Sequence, residues 1–303
     1  MMDGNKINEK ERLIRFKADD GFPISALLVT KDHGRKEDIA DIPILLQVHG
    51  LLGHFLARGT PRLLPHALLE CGFNSLSINT RLASTGQITG VGIFDDTIRD
   101  IDAAVTFLLQ DGFKTIFILG YSLGASMVAY WAANRKYPQV KGLILEGALY
   151  SVADSQRKRL EKWESTPTYE EITSKARSVL GNDPYNSVRD ENFVVYQAKG
   201  PSREPINNEI FTYKTWWFMA GPESHRAMVC KQIGKVHLPI LFMRGENDPV
   251  VEEWETEELG KIAKRAGNRC VKTKQIPKAK HDCMENPEMM LKEIVAMMSD
   301  GTV

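Results

Sequence analysis

Unbalanced charge, cysteine and long apolar runs are all scarce in this 303-residue sequence. Lys plus Arg number 39 and Asp plus Glu number 39, so the formal net charge is zero. A nucleic-acid-binding protein ordinarily carries a basic surplus to meet phosphates. The one local basic run, Lys272, Lys274, Lys278 and Lys280, reads as the solvated face of a strand and the loop after it. No nucleic-acid partner is expected. The four cysteines, Cys71, Cys230, Cys270 and Cys283, are scattered and form no Cys-x-x-Cys pair. That spacing argues against a zinc site or a redox motif and for buried free thiols in a reducing compartment. No stretch reaches the ~18 apolar residues of a membrane helix, and Met1 to Arg12 lacks the apolar core of a signal peptide. A cytoplasmic protein without a membrane span is expected.

What remains is an ordinary globular composition, 43% hydrophobic and 26% charged, in a chain long enough to bury roughly three-quarters of its unfolded surface. Strands and helices alternate legibly. Leu13 to Phe16 and Ile24 to Val29 flank Asp20-Gly21 as an antiparallel hairpin. Ile42 to Val48 and Gly142 to Leu145 are short apolar runs, the pattern of strands buried on both faces. Phe73 to Ile78 is the next strand after the first of them, and Thr115 to Leu119 is a β-rich strand. Helical periodicity covers Pro61 to Glu70, Asp95 to Leu109 and Ala125 to Asn134. The alternation stops between about Ser151 and Lys235, where only Gln156 to Glu164 and Tyr169 to Leu180 read as helices. It resumes with a strand over Pro239 to Met243, a helix over Glu252 to Arg265, a strand over Cys270 to Ile276 and a helix over Pro287 to Met298. The interrupted alternation predicts a mostly parallel sheet with helices on both faces. A structureless loop as long as 151–235 is improbable inside a compact domain, so that segment is read as an inserted cap. The expected organisation is a core over 1–150 and 236–303, with the cap over 151–235.

Ligands of such a sheet bind beyond the carboxyl ends of the strands. The strongest signal there is Gly120-Tyr121-Ser122-Leu123-Gly124, between a strand and a helix. A sharp strand-to-helix turn forces its middle residue into a strained conformation and needs small residues two positions to either side. Gly120 and Gly124 meet that need, and the turn lifts the Ser122 hydroxyl above the sheet edge.

With this elbow, with His49-Gly50 after the third strand, and with an acid and a histidine after the last two strands, the sequence resembles the α/β-hydrolase fold family over nearly its whole length. The resemblance implies a mostly parallel eight-stranded sheet and the chain order Ser, then Asp or Glu, then His. A serine hydroxyl needs a base at neutral pH. Of the seven histidines, His33, His49, His54 and His66 precede Ser122, His225 lies in the 151–235 segment, and His237 stands before a strand. His281 alone follows the final strand and is the expected base. Asp248, in the loop after the preceding strand, is the expected acid. Glu246 is its rival in that loop, and Glu146, after the sixth strand, is a second.

The resemblance also implies an oxyanion hole made by the backbone N–H groups of Leu123 and Leu51, with His49 as a hydrogen-bonding residue of the loop. Arg81, just past the fourth strand, either meets a substrate carboxylate or ties down the glycine-rich loop after it. Trp216 and Trp217, with Phe218, either line an acyl pocket or form the cap's own core. The expected function is hydrolysis of a small-molecule carboxylic ester through an acyl-enzyme on Ser122, with no metal or organic cofactor. Thioesterase, amidase, peptidase, carbon–carbon hydrolase and acyltransferase chemistry share the apparatus. A non-catalytic ligand-binding protein on the same scaffold is the alternative of another kind.

Overall fold

The computed structural model describes residues 9–31, 41–88, 90, 92–199 and 207–300. Strands β1 (Glu9–Lys17) and β2 (Pro23–Lys31) form the antiparallel hairpin about Gly21. They lead into β3 (Ile44–Val48), β4 (Asn74–Ile78), β5 (Ile116–Tyr121) and β6 (Val140–Glu146). Beyond β6 the chain leaves this sheet and makes a second one from β7 (Ser165–Thr166), β8 (Asn192–Gln197) and β9 (Asn207–Thr212). It returns with β10 (Ile240–Gly245) and β11 (Val271–Ile276). The main sheet has eight strands in the order β1-β2-β4-β3-β5-β6-β10-β11. From β4 to β11 every pairing is parallel. Each parallel pairing needs a crossover. Helices Thr60–Glu70, Thr97–Gln110, Leu123–Asn134 and Glu253–Arg265 supply four connections, and the chain between β6 and β10 supplies the other.

The apolar runs of β3, β5 and β10 are continuous because both faces are covered. Side chains alternate across a strand. Leu45, Phe117, Leu119, Leu241 and Met243 therefore face helices Thr60–Glu70 and Pro287–Asp300 through Leu64, Leu68, Met290, Ile294 and Met297. Leu46, Ile116, Ile118, Ile240 and Phe242 face the opposite layer, with Ile101, Val105, Met127 and Trp131. Met290, Met297 and Met298 of the last helix are thus core.

The 151–235 segment holds more regular structure than its sequence advertises. A helix starts at Val152, not Gln156, because the Ser151 side chain caps it by accepting from the Asp154 N–H. Strands β7 to β9 are short, with polar residues at exposed positions. Another helix, Tyr213–Ala220, carries the aromatic cluster that reads as irregular in sequence. The cysteines also differ from expectation. Cys283 is buried, but Cys71 and Cys270 are exposed at element ends.

Candidate active site

Ser122 lies between β5 and the helix Leu123–Asn134 with φ 53° and ψ −118°. A non-glycine residue rarely holds positive φ without support from its surroundings. Close packing supplies that support here. A Cβ at Gly120 would sit 2.4 Å from the Gly124 oxygen, and one at Gly124 would sit 2.4 Å from the Val48 oxygen. Only glycines let the turn close this tightly against β3. The Ser122 N–H donates to the Glu146 oxygen at 2.8 Å, which ties the turn to the end of β6.

The loops after β10 and β11 are brought together by backbone contact. A Cβ at Gly245 would lie 2.0 Å from the Lys280 oxygen, so the chain before His281 rides directly on the end of β10. The Asn247 N–H donates to the Ala279 oxygen at 2.8 Å. The Lys278 N–H donates to Glu246 Oε2 at 2.7 Å. This leaves the Asp248 side chain fully buried beneath the imidazole. His281 Nδ1 is 2.8 Å from Asp248 Oδ2, and His281 Nε2 is 2.9 Å from Ser122 Oγ. Asp248 Oδ1 accepts from the N–H groups of Val250 and Val251 at 2.8 and 3.0 Å. With Oδ2 accepting, His281 carries its proton on Nδ1 and leaves Nε2 as a base toward the hydroxyl. Of the three carboxylates considered, Asp248 is the one bonded to His281. Glu246 caps the neighbouring backbone, and Glu146 bonds Thr60.

Gly50 and Leu51 enter this site from β3. A Cβ at Gly50 would come within 3.1 Å of Ser122 Cβ, so the backbone that leads into Leu51 is held against the serine. Among the described residues, the N–H groups of Leu51 and Leu123 donate to no other backbone group. The next N–H, that of Leu52, is already committed to the Thr85 oxygen at 3.1 Å, and the Ser84 N–H donates to the Gly53 oxygen at 2.8 Å. The turn at 84–86 thus braces the loop from behind. It also reaches the second sheet, where the Ile210 N–H donates to the Gly86 oxygen at 2.8 Å.

His49 anchors the root of the same loop. Its Nε2 accepts from the Thr80 N–H at 3.2 Å, and its Nδ1 donates to the Gly50 oxygen at 2.9 Å. Burial pushes its pKa down to about 4, so it stays neutral and serves the loop.

Arg81 is not available to a substrate. Its Nε and Nη2 bond the buried Asp100 at 2.8–3.1 Å, its Nη1 bonds Asp20 at 2.9 Å, and Phe22 covers its face. The carboxylate partner proposed for it from sequence is corrected to these aspartates, whose charge a buried guanidinium requires. Trp216 and Trp217 are 1% and 2% exposed. Trp216 packs on Tyr169 and Phe193, and Arg177 covers Trp217. Both are core of the 151–235 segment, not pocket lining, because the helix carrying them is clamped between Tyr169 and β8.

Sequence reasoning misses three features of the site. Tyr121 lays its ring against the His281 imidazole, with centroids 5.3 Å apart. Thr60 joins Glu146 to the histidine loop. Arg159, on the helix Val152–Lys162, stacks over Trp163 beside a cavity of about 440 Å³ that Ser151, Val250, Trp254 and Asp248 also border. Only the glycine and turn pattern around Tyr121 offered any signal. The other two depend on contacts between distant segments. Among the described residues no helix is long and apolar enough to cross a membrane.

Solved structures share this architecture. An esterase from Pyrococcus furiosus superposes with a TM-score of 0.64 at 14% identity, covering 99% of this chain and 94% of that one. The siderophore hydrolase EstB from Aspergillus fumigatus superposes with a TM-score of 0.68 at 14% identity, covering 96% and 98%. In sequence, the 2-succinyl-6-hydroxy-2,4-cyclohexadiene-1-carboxylate synthase of Serratia proteamaculans (strain 568) is 30% identical over 122 residues. That match spans 40% of this chain and 44% of the synthase. The family model described as Hydrolase_4, serine aminopeptidase, S33, matches residues 43–288. Since that match runs from the start of β3 to the helix after His281, the chain belongs to this family and is an enzyme of the α/β-hydrolase superfamily.

Proposed function

We propose that the protein hydrolyses a small-molecule carboxylic ester through an acyl-enzyme on Ser122. The observation that carries this reading is the continuous chain Ser122 Oγ, His281 Nε2, His281 Nδ1 and Asp248 Oδ2, with links of 2.9 and 2.8 Å. His281 takes the proton as Ser122 attacks the carbonyl, and Asp248 stabilises the imidazolium that forms. The N–H groups of Leu51 and Leu123 hold the developing oxyanion. Collapse releases the alcohol, protonated by His281. Water activated by the same imidazole then frees the acid and restores the serine.

Residues 151–235 act as a cap over this site, and the cavity between the helix Val152–Lys162 and the acid loop gives one substituent room. The esterase and siderophore hydrolase names of the structural neighbours agree with ester cleavage. The reading itself rests on the hydrogen-bonded chain.

A fluorophosphonate probe tests the mechanism. The protein labels, and Ser122→Ala abolishes both labelling and turnover of p-nitrophenyl esters. A folded protein that never labels would instead favour a ligand-binding role. Esters of graded chain length, beside thioester and amide analogues, assign the substrate class.

A further inference from the structure

Glu146 closes β6 directly behind Ser122 and His281, and the mechanism above makes no use of its side chain. That side chain is completely buried. Its Oε1 is 3.1 Å from the Thr60 hydroxyl, its Oε2 has no nitrogen or oxygen partner among the described residues, and the Cys283 thiol also hydrogen-bonds the carboxyl. Tyr121 faces it from β5, Asp248 from the acid loop, and Asp282 and Cys283 from the histidine loop. His281 itself lies against the adjacent Gly147. One packing helix contributes Thr60, and the other sets Met290 Sδ 3.9 Å from the Thr60 hydroxyl; neither residue titrates. Burial, reinforced by Asp282 and Asp248, pushes the carboxyl pKa up to about 8 against the opposing Thr60 and Cys283 bonds.

The Thr60 hydroxyl stands equally close to a second acceptor, the Asp282 carbonyl oxygen, also at 3.1 Å. A hydroxyl has a single proton to donate, although it can accept as well. A neutral Glu146 donates to Thr60, and Thr60 then donates to Asp282, one residue from the imidazole. An ionised Glu146 can only accept. Thr60 must then turn its proton to the carboxylate, and the Asp282 carbonyl loses its donor.

We propose that Glu146 is a positioning residue for His281: while neutral it completes a hydrogen-bond chain, Glu146 carboxyl to Thr60 hydroxyl to Asp282 carbonyl, that holds the histidine loop in register, and ionisation breaks that chain. The inference rests on the reading of His281 as the base. The proton moves onto or off Glu146 from solvent, and no other bond changes. Glu146 touches no reacting atom, and its effect passes through the loop.

The test is the pH profile of kcat for p-nitrophenyl acetate, corrected for background hydrolysis, from about pH 6 to about pH 9.5. The native enzyme loses activity with a midpoint near the Glu146 titration at about 8. Glu146→Gln, whose amide donates to Thr60 at every pH, stays flat across that range relative to its own value at neutral pH. Thr60→Val has no donor for Asp282, so its kcat is about tenfold or more lower throughout and also shows no alkaline loss, since small displacements of a catalytic group are costly. Thr60→Ser, which keeps the hydroxyl, restores the native profile. An unchanged alkaline loss in Glu146→Gln overturns the proposal. If that variant does not fold, a Thr60→Val enzyme with the native profile overturns it equally. Ser122→Ala, run alongside, separates the two readings. If it retains turnover, the acyl-enzyme mechanism fails. If it is dead while Glu146→Gln keeps the alkaline loss, only the role of Glu146 fails.

Discussion

Replacing Asp248 with asparagine probes the catalytic chain with almost no change in shape. The native carboxylate accepts three hydrogen bonds, from His281 Nδ1 at 2.8 Å and from the N–H groups of Val250 and Val251 at 2.8 and 3.0 Å. The amide oxygen of an asparagine can keep both backbone bonds, so the side chain stays in place. Its NH2 group then points at His281 Nδ1 and can only donate. The imidazole must move its proton to Nε2, where it faces Ser122 Oγ and blocks proton transfer. Loss of the correct tautomer in a triad lowers kcat about ten-thousand-fold, a rise of about 5.5 kcal/mol in the barrier. Stability falls by about 1.5–3 kcal/mol at most, the worth of one hydrogen bond to a charged group. Glu246→Gln is the internal control, because Glu246 is exposed and, among the described residues, its side chain bonds only the Lys278 N–H. Steady-state kinetics on a p-nitrophenyl ester and urea denaturation measure the two quantities separately. A folded Asp248→Asn enzyme within tenfold of native kcat, or a Glu246→Gln enzyme that is the more damaged, would refute the assignment of the acid.

Other outcomes follow from the same contacts. Arg81→Ala leaves Asp100 buried without its cation, which costs about 3–5 kcal/mol. Because Arg81 is committed to that cluster, thermal melting should fall sharply while KM of the surviving fraction stays native. Gly124→Ala would drive a methyl against the Val48 and His49 oxygens at 2.4 and 2.6 Å. Backbone cannot yield there as a side chain could, so destabilisation of about 1–3 kcal/mol or more, with lost fluorophosphonate labelling, is expected. For Glu146 the sign is set by proton binding. The folded state keeps this proton to about pH 8, whereas the unfolded chain releases it near its ordinary value of 4.5. Folded protein therefore binds more protons between those limits, and stability declines as pH rises by up to about 1.4 kcal/mol per pH unit from this group. Denaturation midpoints across that range should be flatter in Glu146→Gln, and an identical slope in both proteins would show that Glu146 is ionised on folding.

The sequence alone determined the main sheet and where chemistry could lie on it. Runs such as Ile44–Val48 and Ile116–Tyr121 carry their burial in their composition, and the elbow at 120–124 carries its steric demand in two glycines. Both are local signals, set within a few residues. The chain order implied by the resemblance to the α/β-hydrolase family then nominated Ser122, Asp248 and His281, and folding brings them within hydrogen-bond reach. Tertiary structure decided what local pattern could not. Arg81 could have faced a substrate until Asp20 and Asp100, 61 and 19 positions away, were seen to enclose it. Trp216 and Trp217 were equally compatible with pocket and core until Tyr169, Phe193 and Arg177 covered them. Strands β7 to β9 carry too little alternation to announce themselves, because their short polar faces are fixed by pairing with one another. Thr60 meets Glu146 across 86 positions and Asp282 across 222. No window along the chain spans those distances, so whether a buried carboxyl is an idle acid or a proton-bearing strut is set only when the folded chain removes water from around it.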